Sequence, residues 1–374
     1  MELALTDDQE LLRDTAVRFM EEHCPLDVVR QMVGDETGLP PAYLRGVAEL
    51  GWFSLLVPEA LGGGSVSGEG LRDAAVVAEE RGRRLQPGPF VPMNVVAAAL
   101  ATSGSAEQGR DVLGPLLEGA ASATWVASDP GGAWAPAETI SAEPSPGGFV
   151  LSGRAGVVQD GALADWLLVT AKSAEGPSQF LVASSTPGVS LRPLDSHDIT
   201  RRFADLELSG VVLPAGALVG PAGGAGEDIE RQFQQALVLS VAETVGALDG
   251  LFEMTRQYAL DRTAFGRPIG SFQAVKHQLA DLSLSVEASK AVSAAATRAV
   301  QSGQAEAGEI ASIAKAWVGD IGIEVAQGCF QIFAGIGYTW EHDLHLFLRR
   351  ITMSGLLFGQ AEWHRQRICR IHGL

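Results

Sequence analysis

Three stretches in the C-terminal half constrain the fold most: ERQFQQALVLSVAETVGALDGLFEMTRQYAL, SFQAVKHQLADLSLSVEASKAVSAAATRAV and EAGEIASIAKAWVGDIGIEVAQGCFQIF. Each carries Leu, Val, Ile and Ala at helical spacing over many turns. Helices of that length draw their stability from packing, so adjacent apolar stripes predict a bundle that buries them against one another. The bundle is expected over residues 227–374, after a linker-like PAGGAG at 221–226.

Upstream the period changes. Between about 121 and 220 the runs ATWVA, GFVLSG, DWLLVT, SQFLVAS, GVSLRPL, ADLELSGVVL and GALVG are short and separated by Gly, Pro, Ser or Asp, which predicts a compact, strand-rich central domain. Residues 1–120 read as helical again. One helix is expected from Thr6 to Met20, with Thr6 as its cap and Asp7, Asp8 and Glu10 at the positive end of the dipole. Pro25 closes it; further helices are expected around Tyr43–Leu50 and Leu71–Leu85. PEALGGGSVSG, at 58–68, reads as a loop: its glycines follow no strand and lack the Lys and Ser/Thr of a nucleotide-binding loop.

Composition excludes several classes. With 45 acidic against 27 basic residues the chain carries a net charge of −18, which opposes nonspecific contact with a nucleic-acid backbone. The three cysteines, Cys24, Cys329 and Cys369, are far apart and form no CxxC pair, so neither a disulfide framework nor a cysteine-built metal site is indicated. The acidic N-terminal stretch is unlike an export signal, and no segment offers about 20 apolar residues for a membrane span, so a cytoplasmic protein is expected.

Two turns bring together chemistry-bearing residues. In YALDRTAFGRPIGSFQAVKHQ, Arg262 can neutralise an anion, Phe265 can cover an apolar or aromatic surface, and Gln273 supplies a directional amide. The same pattern also serves a plain helical hairpin. In QIFAGIGYTWEHDLHLFLRR, Gln331 can bond a phosphate or ribose, Gly335 and Gly337 allow close backbone approach, and Tyr338, Thr339 and Trp340 can line an aromatic pocket. His342 and His345 share a helix face without a third ligand, so packing explains them better than a metal. No GxSxG element or dinucleotide fingerprint supports a hydrolase or a nicotinamide-dependent enzyme.

Taken in order, LTDDQELLRDTAVRF, LGWFSLLVPEALGGG, AEERGR, RTAFGRPIGSFQAVKHQLAD and QIFAGIGYTWEHDLHLFLRR resemble the acyl-CoA dehydrogenase family over nearly the full chain. The resemblance implies an α+β multidomain fold: an N-terminal helical domain, a central β-barrel-like domain and a C-terminal four-helix bundle. It implies FAD between the β domain and the bundle, with the bundle of a neighbouring subunit contacting the adenosine and pyrophosphate. Carried onto this chain, Arg262, Phe265, Gln273, Gln331, Gly335 and Gly337 form that contact.

The chain departs from the family elsewhere. The threonine-glutamate-proline and alanine-glycine-serine-aspartate motifs become ATWVASDPGGAWAPAET, where Ser128, Asp129 and Pro130 match loosely. The flavin-flanking tryptophan and hydroxyl residue fall at Val157 and Gln159. The two usual positions of the catalytic base hold Phe358 and Ala236, neither of which accepts a proton. Glu243, two turns beyond Ala236, is a substitute base whose apolar neighbours would raise its pKa, but two turns span about 10 Å, so a structural or cofactor-orienting carboxylate is the preferred reading. The expectation is therefore a subunit of a heteromeric acyl-CoA dehydrogenase. It would form a 2,3-enoyl-CoA from a steroid side-chain or other bulky acyl-CoA, with a second family-like subunit supplying the base and an electron-transfer flavoprotein or comparable acceptor taking the electrons. The alternatives are a homomeric enzyme using Glu243 or another relocated base, and a noncatalytic acyl-CoA-binding or assembly subunit.

Overall fold

The computed structural model describes residues 4–40 and 42–374. Its first helix, α1 (Asp7–His23), opens on a capping box. The Thr6 hydroxyl accepts from the Gln9 backbone N–H at 3.3 Å, and the Gln9 side-chain Oε1 accepts from the Thr6 backbone N–H at 3.2 Å. Such a cap contributes about 1 kcal/mol. Pro25 ends α1 and is at once the N-cap of α2 (Leu26–Gln31). Then follow α3 (Tyr43–Glu49), α4 (Gly70–Arg83), α5 (Phe90–Ser103) and the short turns α6 (Ala106–Gln108) and α7 (Gly114–Leu117), the last two joined by a π-helical stretch. The glycine-rich loop before α4 is a packed turn. The buried Asp73 carboxylate accepts from the Ser65 hydroxyl, from the backbone and hydroxyl of Ser67, and from the Gln9 amide at 2.6–3.0 Å.

Eight strands follow: β1 (Ala123–Val126), β2 (Ile140–Ser145), β3 (Gly148–Gln159), β4 (Trp166–Ser173), β5 (Gly176–Ala183), β6 (Val189–Leu194), β7 (Phe203–Pro214) and β8 (Leu218–Val219). They form one mixed sheet in the order β6-β7-β3-β2-β4-β5-β8, with β1 parallel to β4. The sheet is open rather than a closed barrel, because the end strands β6 and β8 do not pair among the described residues. Register shifts interrupt the β3–β7 ladder between Leu151 and Gly153 and between Ala155 and Val158. The second irregularity turns Val157 into the left-handed region, φ 54°.

The C-terminal part consists of α8 (Gly226–Asp261), a minimal hairpin of β9 (Thr263–Ala264) and β10 (Arg267–Pro268), α9 (Gln273–Gln301), α10 (Ala307–Phe333), α11 (Leu344–Leu356) and α12 (Ala361–Ile371). Helices α8 to α11 form the bundle and α12 packs on α10. One apolar core runs continuously from the N-terminal helices through the bundle, while the sheet has a second interior around Leu151, Leu167, Val169, Phe180 and Leu206.

Two contacts fix how the parts meet. Helices α4 and α8 touch backbone to backbone: a Cβ on Gly82 would lie 1.8 Å from the Glu243 carbonyl oxygen, and one on Gly246 would lie 1.8 Å from that of Glu79. A buried charge cluster then links all three domains. Arg201, between β6 and β7, donates to Glu243 of α8 at 2.5 Å, and Arg81 of α4 approaches the other Glu243 oxygen at 3.4 Å. Arg350 of α11 donates to Asp198 at 2.9 Å and to the Thr200 hydroxyl at 2.5 Å. Burial alone would raise the Asp198 pKa, but Arg350 and Arg201 outweigh it and hold the carboxyl below its usual range. No helix among the described residues is long and apolar enough to cross a membrane.

Candidate cofactor site

The two turns singled out in the sequence lie at one end of the bundle. Tyr258, near the end of α8, stacks on Phe333, the last residue of α10, at 4.2 Å between ring centroids, which draws the turn after each helix to the same end. Arg262 caps α8, is exposed and forms no ion pair among the described residues. The loop of the β9–β10 hairpin is Phe265–Gly266, with φ 53° and 81°. Two successive left-handed residues match the twist of a hairpin, but the first is normally Asn, Asp or Gly. Phe265 holds this strained position with 95% of its surface exposed. Gln273 opens α9 and Gln331 lies near the end of α10, both exposed.

The two glycines separate in role. Gly335 is exposed with open space where a Cβ would be, so backbone there can be approached closely. Gly337 is buried, and a Cβ on it would meet Leu344 at 2.8 Å and Phe333 at 3.1 Å, so its small size serves packing inside this chain. Tyr338 and Trp340 project from the surface, 75% and 57% exposed, rather than lining a closed pocket. The bundle end also holds a residue the sequence reading passed over: the Arg267 guanidinium lies 4.1 Å from the Phe272 ring centre. His342 packs against Phe333 and His345 stacks on Trp340, and no group of metal-ligating side chains occurs among the described residues.

On the β-domain side the departures from the family gather around one cavity of about 50 Å³. Val157, Gln159 and Phe358 line it together with Trp125, Trp134 and Ser128. Asp129 accepts from the backbone N–H groups of Gly131 and Ala133, and the turn so formed carries Trp134 inward, where its ring stacks on Phe233 at 4.1 Å. Trp125 packs against Trp134 at 5.1 Å and Phe358 at 6.4 Å. Phe358 itself has φ 57°. Side chains thus fill a space with room for a few waters. The two tryptophans were visible in ATWVASDPGGAWAPAET; what sequence could not tell is that both turn into the same space.

Glu243 is not beside this cavity. Its surroundings are two guanidinium groups, not the apolar neighbours expected, and each carboxylate oxygen faces one of them. With both oxygens engaged by guanidinium groups, its position fits the joining of domains and not proton abstraction. Ala236 is fully buried.

The family models agree with this architecture. The acyl-CoA dehydrogenase N-terminal domain matches residues 6–120 and the acyl-CoA dehydrogenase C-terminal domain matches residues 224–372. The chain belongs to the acyl-CoA dehydrogenase family. Among its relatives is the acyl-CoA dehydrogenase IpdE2 of Mycolicibacterium smegmatis, 30% identical over 97% of this chain and 98% of that protein. Among solved structures, the ChsE4-ChsE5 complex from Mycobacterium tuberculosis superposes with a TM-score of 0.91 at 26% identity, covering 100% of this chain and 99% of the matched one. The Tcur3481-Tcur3483 steroid ACAD superposes with a TM-score of 0.87 at 28% identity, covering 98% of both.

Against this family background the two halves of the site differ in their fit to FAD. The bundle end fits: it offers a guanidinium with no ion pair among the described residues, an exposed ring, two amides and an open glycine to a charged, partly aromatic group. The β-domain face does not fit, because Trp134, Trp125 and Phe358 occupy the space and the 50 Å³ left over is too small for a flavin ring.

Proposed function

We propose that this chain is one subunit of a heteromeric, FAD-dependent acyl-CoA dehydrogenase, and that it contributes the bundle end of the flavin site. The observation that carries the reading is the asymmetry just described: a cofactor-compatible bundle end beside a β-domain face filled by this chain's own aromatic side chains. A homomer would need both faces and a base in the same chain, and Phe358 and Ala236 leave both family base positions empty. The pairing of two chains in ChsE4-ChsE5 and in Tcur3481-Tcur3483 supports the same division.

In this assembly Arg262 offsets the charge of the diphosphate through charge-assisted hydrogen bonds, Phe265 shields an apolar surface, and Gln273 and Gln331 fix orientation. Gly335 permits close approach. FAD, when bound, would supply a hydride acceptor for oxidation of an acyl thioester to a 2,3-enoyl-CoA, and the base would be a carboxylate of the second subunit. An electron-transfer flavoprotein or comparable acceptor then receives the electrons. A bulky acyl group, such as a steroid side-chain thioester, is the substrate class favoured by the likeness to the Tcur3481-Tcur3483 steroid ACAD.

The test is coexpression with a family-like partner, followed by flavin content per assembly in the parent and in Arg262→Ala. The variant should assemble with the same stoichiometry yet lose most of its bound flavin. Unchanged flavin content in an intact assembly would remove the bundle end from the cofactor site.

A further inference from the structure

A second small cavity, about 20 Å³, lies where the helical and β domains meet. Leu39, Leu44 and Pro89 line it from the helical side, and Ser122, Ala123, Leu163, Ala164 and Asp160 from the β domain. Asp160 directly follows Gln159, whose carbonyl oxygen accepts from the Thr124 hydroxyl at 2.6 Å. Both Thr124 and Gln159 also line the aromatic-filled cavity, so Asp160 stands immediately behind its wall. The residue is 3% exposed and in the left-handed region, φ 51°. One carboxylate oxygen, Oδ2, is buried without a hydrogen-bond partner.

The charges that face Asp160 are Arg201 and Arg202 from the β6–β7 connection and Arg81 from α4, with the Gln159 amide as a polar neighbour. Every one of those guanidinium groups is engaged elsewhere. Arg201 holds Glu243 and Ser354; Arg202 donates to the carbonyl oxygens of Met32 and Asp35; Arg81 bonds Tyr43, the Pro87 carbonyl and Glu243. None lies within ion-pair distance of Asp160 among the described residues. An ionised carboxylate here has lost its water and gained no close counter-charge, whereas a protonated one is neutral and can donate.

We propose that Asp160 is a proton-operated joint between the helical and β domains: neutral, it seats in the cavity, and ionised, it draws in water or a guanidinium and loosens the Thr124–Gln159 corner. The cavity and the unpaired oxygen coincide at one residue, whose left-handed backbone is one that aspartate readily adopts. The titration falls in an accessible range, since burial, opposed in part by Arg201, pushes the Asp160 carboxyl up to about 6. The sign follows from linkage. A carboxyl raised in the folded state makes folding less favourable as pH climbs from the unfolded value near 4 through about 6, after which the loss is constant.

The experiment compares the full-length chain with Asp160→Asn between pH 4 and 8 by thermal unfolding, by the infrared band of a protonated carboxyl, and by amide exchange over residues 157–164. The parent should lose several degrees of melting temperature relative to the variant between pH 4 and 6 and no more above. Its carboxyl band should fade near pH 6, and exchange at 157–164 should rise over the same interval only in the parent. Parallel stability curves, or a band already absent at pH 5, overturn the proposal. A band that titrates without any change in exchange also overturns it, because the corner then does not move. If the variant fails to fold, the band and the exchange of the parent decide alone.

Discussion

A phenylalanine in the left-handed region costs about 1–2 kcal/mol relative to ordinary backbone. Phe265 bears that cost with 95% of its surface in solvent, and the edge-to-face pair it forms with Phe272, 6.1 Å between ring centroids, offsets it only in part. Phe265→Asn supplies the residue a two-residue hairpin favours and should raise the folding stability of the isolated chain by about 1 kcal/mol in chemical denaturation. In the coexpressed assembly the same variant should lower flavin content, because the exposed ring is gone. A stable variant with full flavin content would leave the strain without a purpose in cofactor binding. Arg262, Gln273 and Gln331 could be named from sequence because their neighbours in the chain form the turn that presents them. Arg201 and Trp134 could not, since the groups that give them meaning, Glu243 and Phe233, are far away in sequence. For Glu243 helical spacing shows the face it lies on and favours a structural role, but it does not reveal the two arginines that face it.

Among the elements, long helices and most strands follow from periodicity, and the exceptions have physical causes. Helix α5 escaped notice as a separate element because it is apolar on every side; buried all round, it has no stripe for a periodic pattern to reveal. Strand β2, ISAEPS, has a composition typical of loops and is a strand because β3 pairs with it while Ile140 and Ala142 turn inward. The α4–α8 contact carries a prediction at this scale. Gly246→Ala places a methyl 1.8 Å from where the Glu79 carbonyl oxygen lies, and backbone cannot yield without separating the helices. The expected loss is about 3 kcal/mol or more, by denaturant titration. Gly82→Ala acts on the same contact from the other side, so the double variant should lose less than the sum. Additive losses would mean that the two glycines relieve separate contacts.

For the whole molecule, a net charge of −18 opposes close packing of identical copies and favours a partner of different surface charge. On the proposed reading, a filled β-domain face and apolar residues at both family base positions leave the chain alone without a complete flavin site or a base at those positions. The isolated subunit should therefore purify without flavin and reduce no acyl-CoA-linked electron acceptor, and both properties should appear on coexpression. Flavin reduction by the lone chain with a bulky acyl-CoA would reject the division of labour. The buried cluster of Arg81, Asp198, Arg201, Glu243 and Arg350 holds the three domains as one body, which is the geometry a shared site requires of each contributor.

What the sequence alone determined was local and periodic. It determined the helix–sheet–bundle order, the capped first helix, the two turns at the bundle end and the absence of a side chain able to take a proton at positions 236 and 358. Only the tertiary structure decided which distant side chains share a space. It turned two tryptophans and Phe358 into one small cavity, enclosed Glu243 between arginines, and left one oxygen of Asp160 unpaired at a domain junction. The physical reason is common to all three. Burial, pairing and cavity shape depend on chain segments that meet only after folding, and no spacing along the sequence encodes their distances.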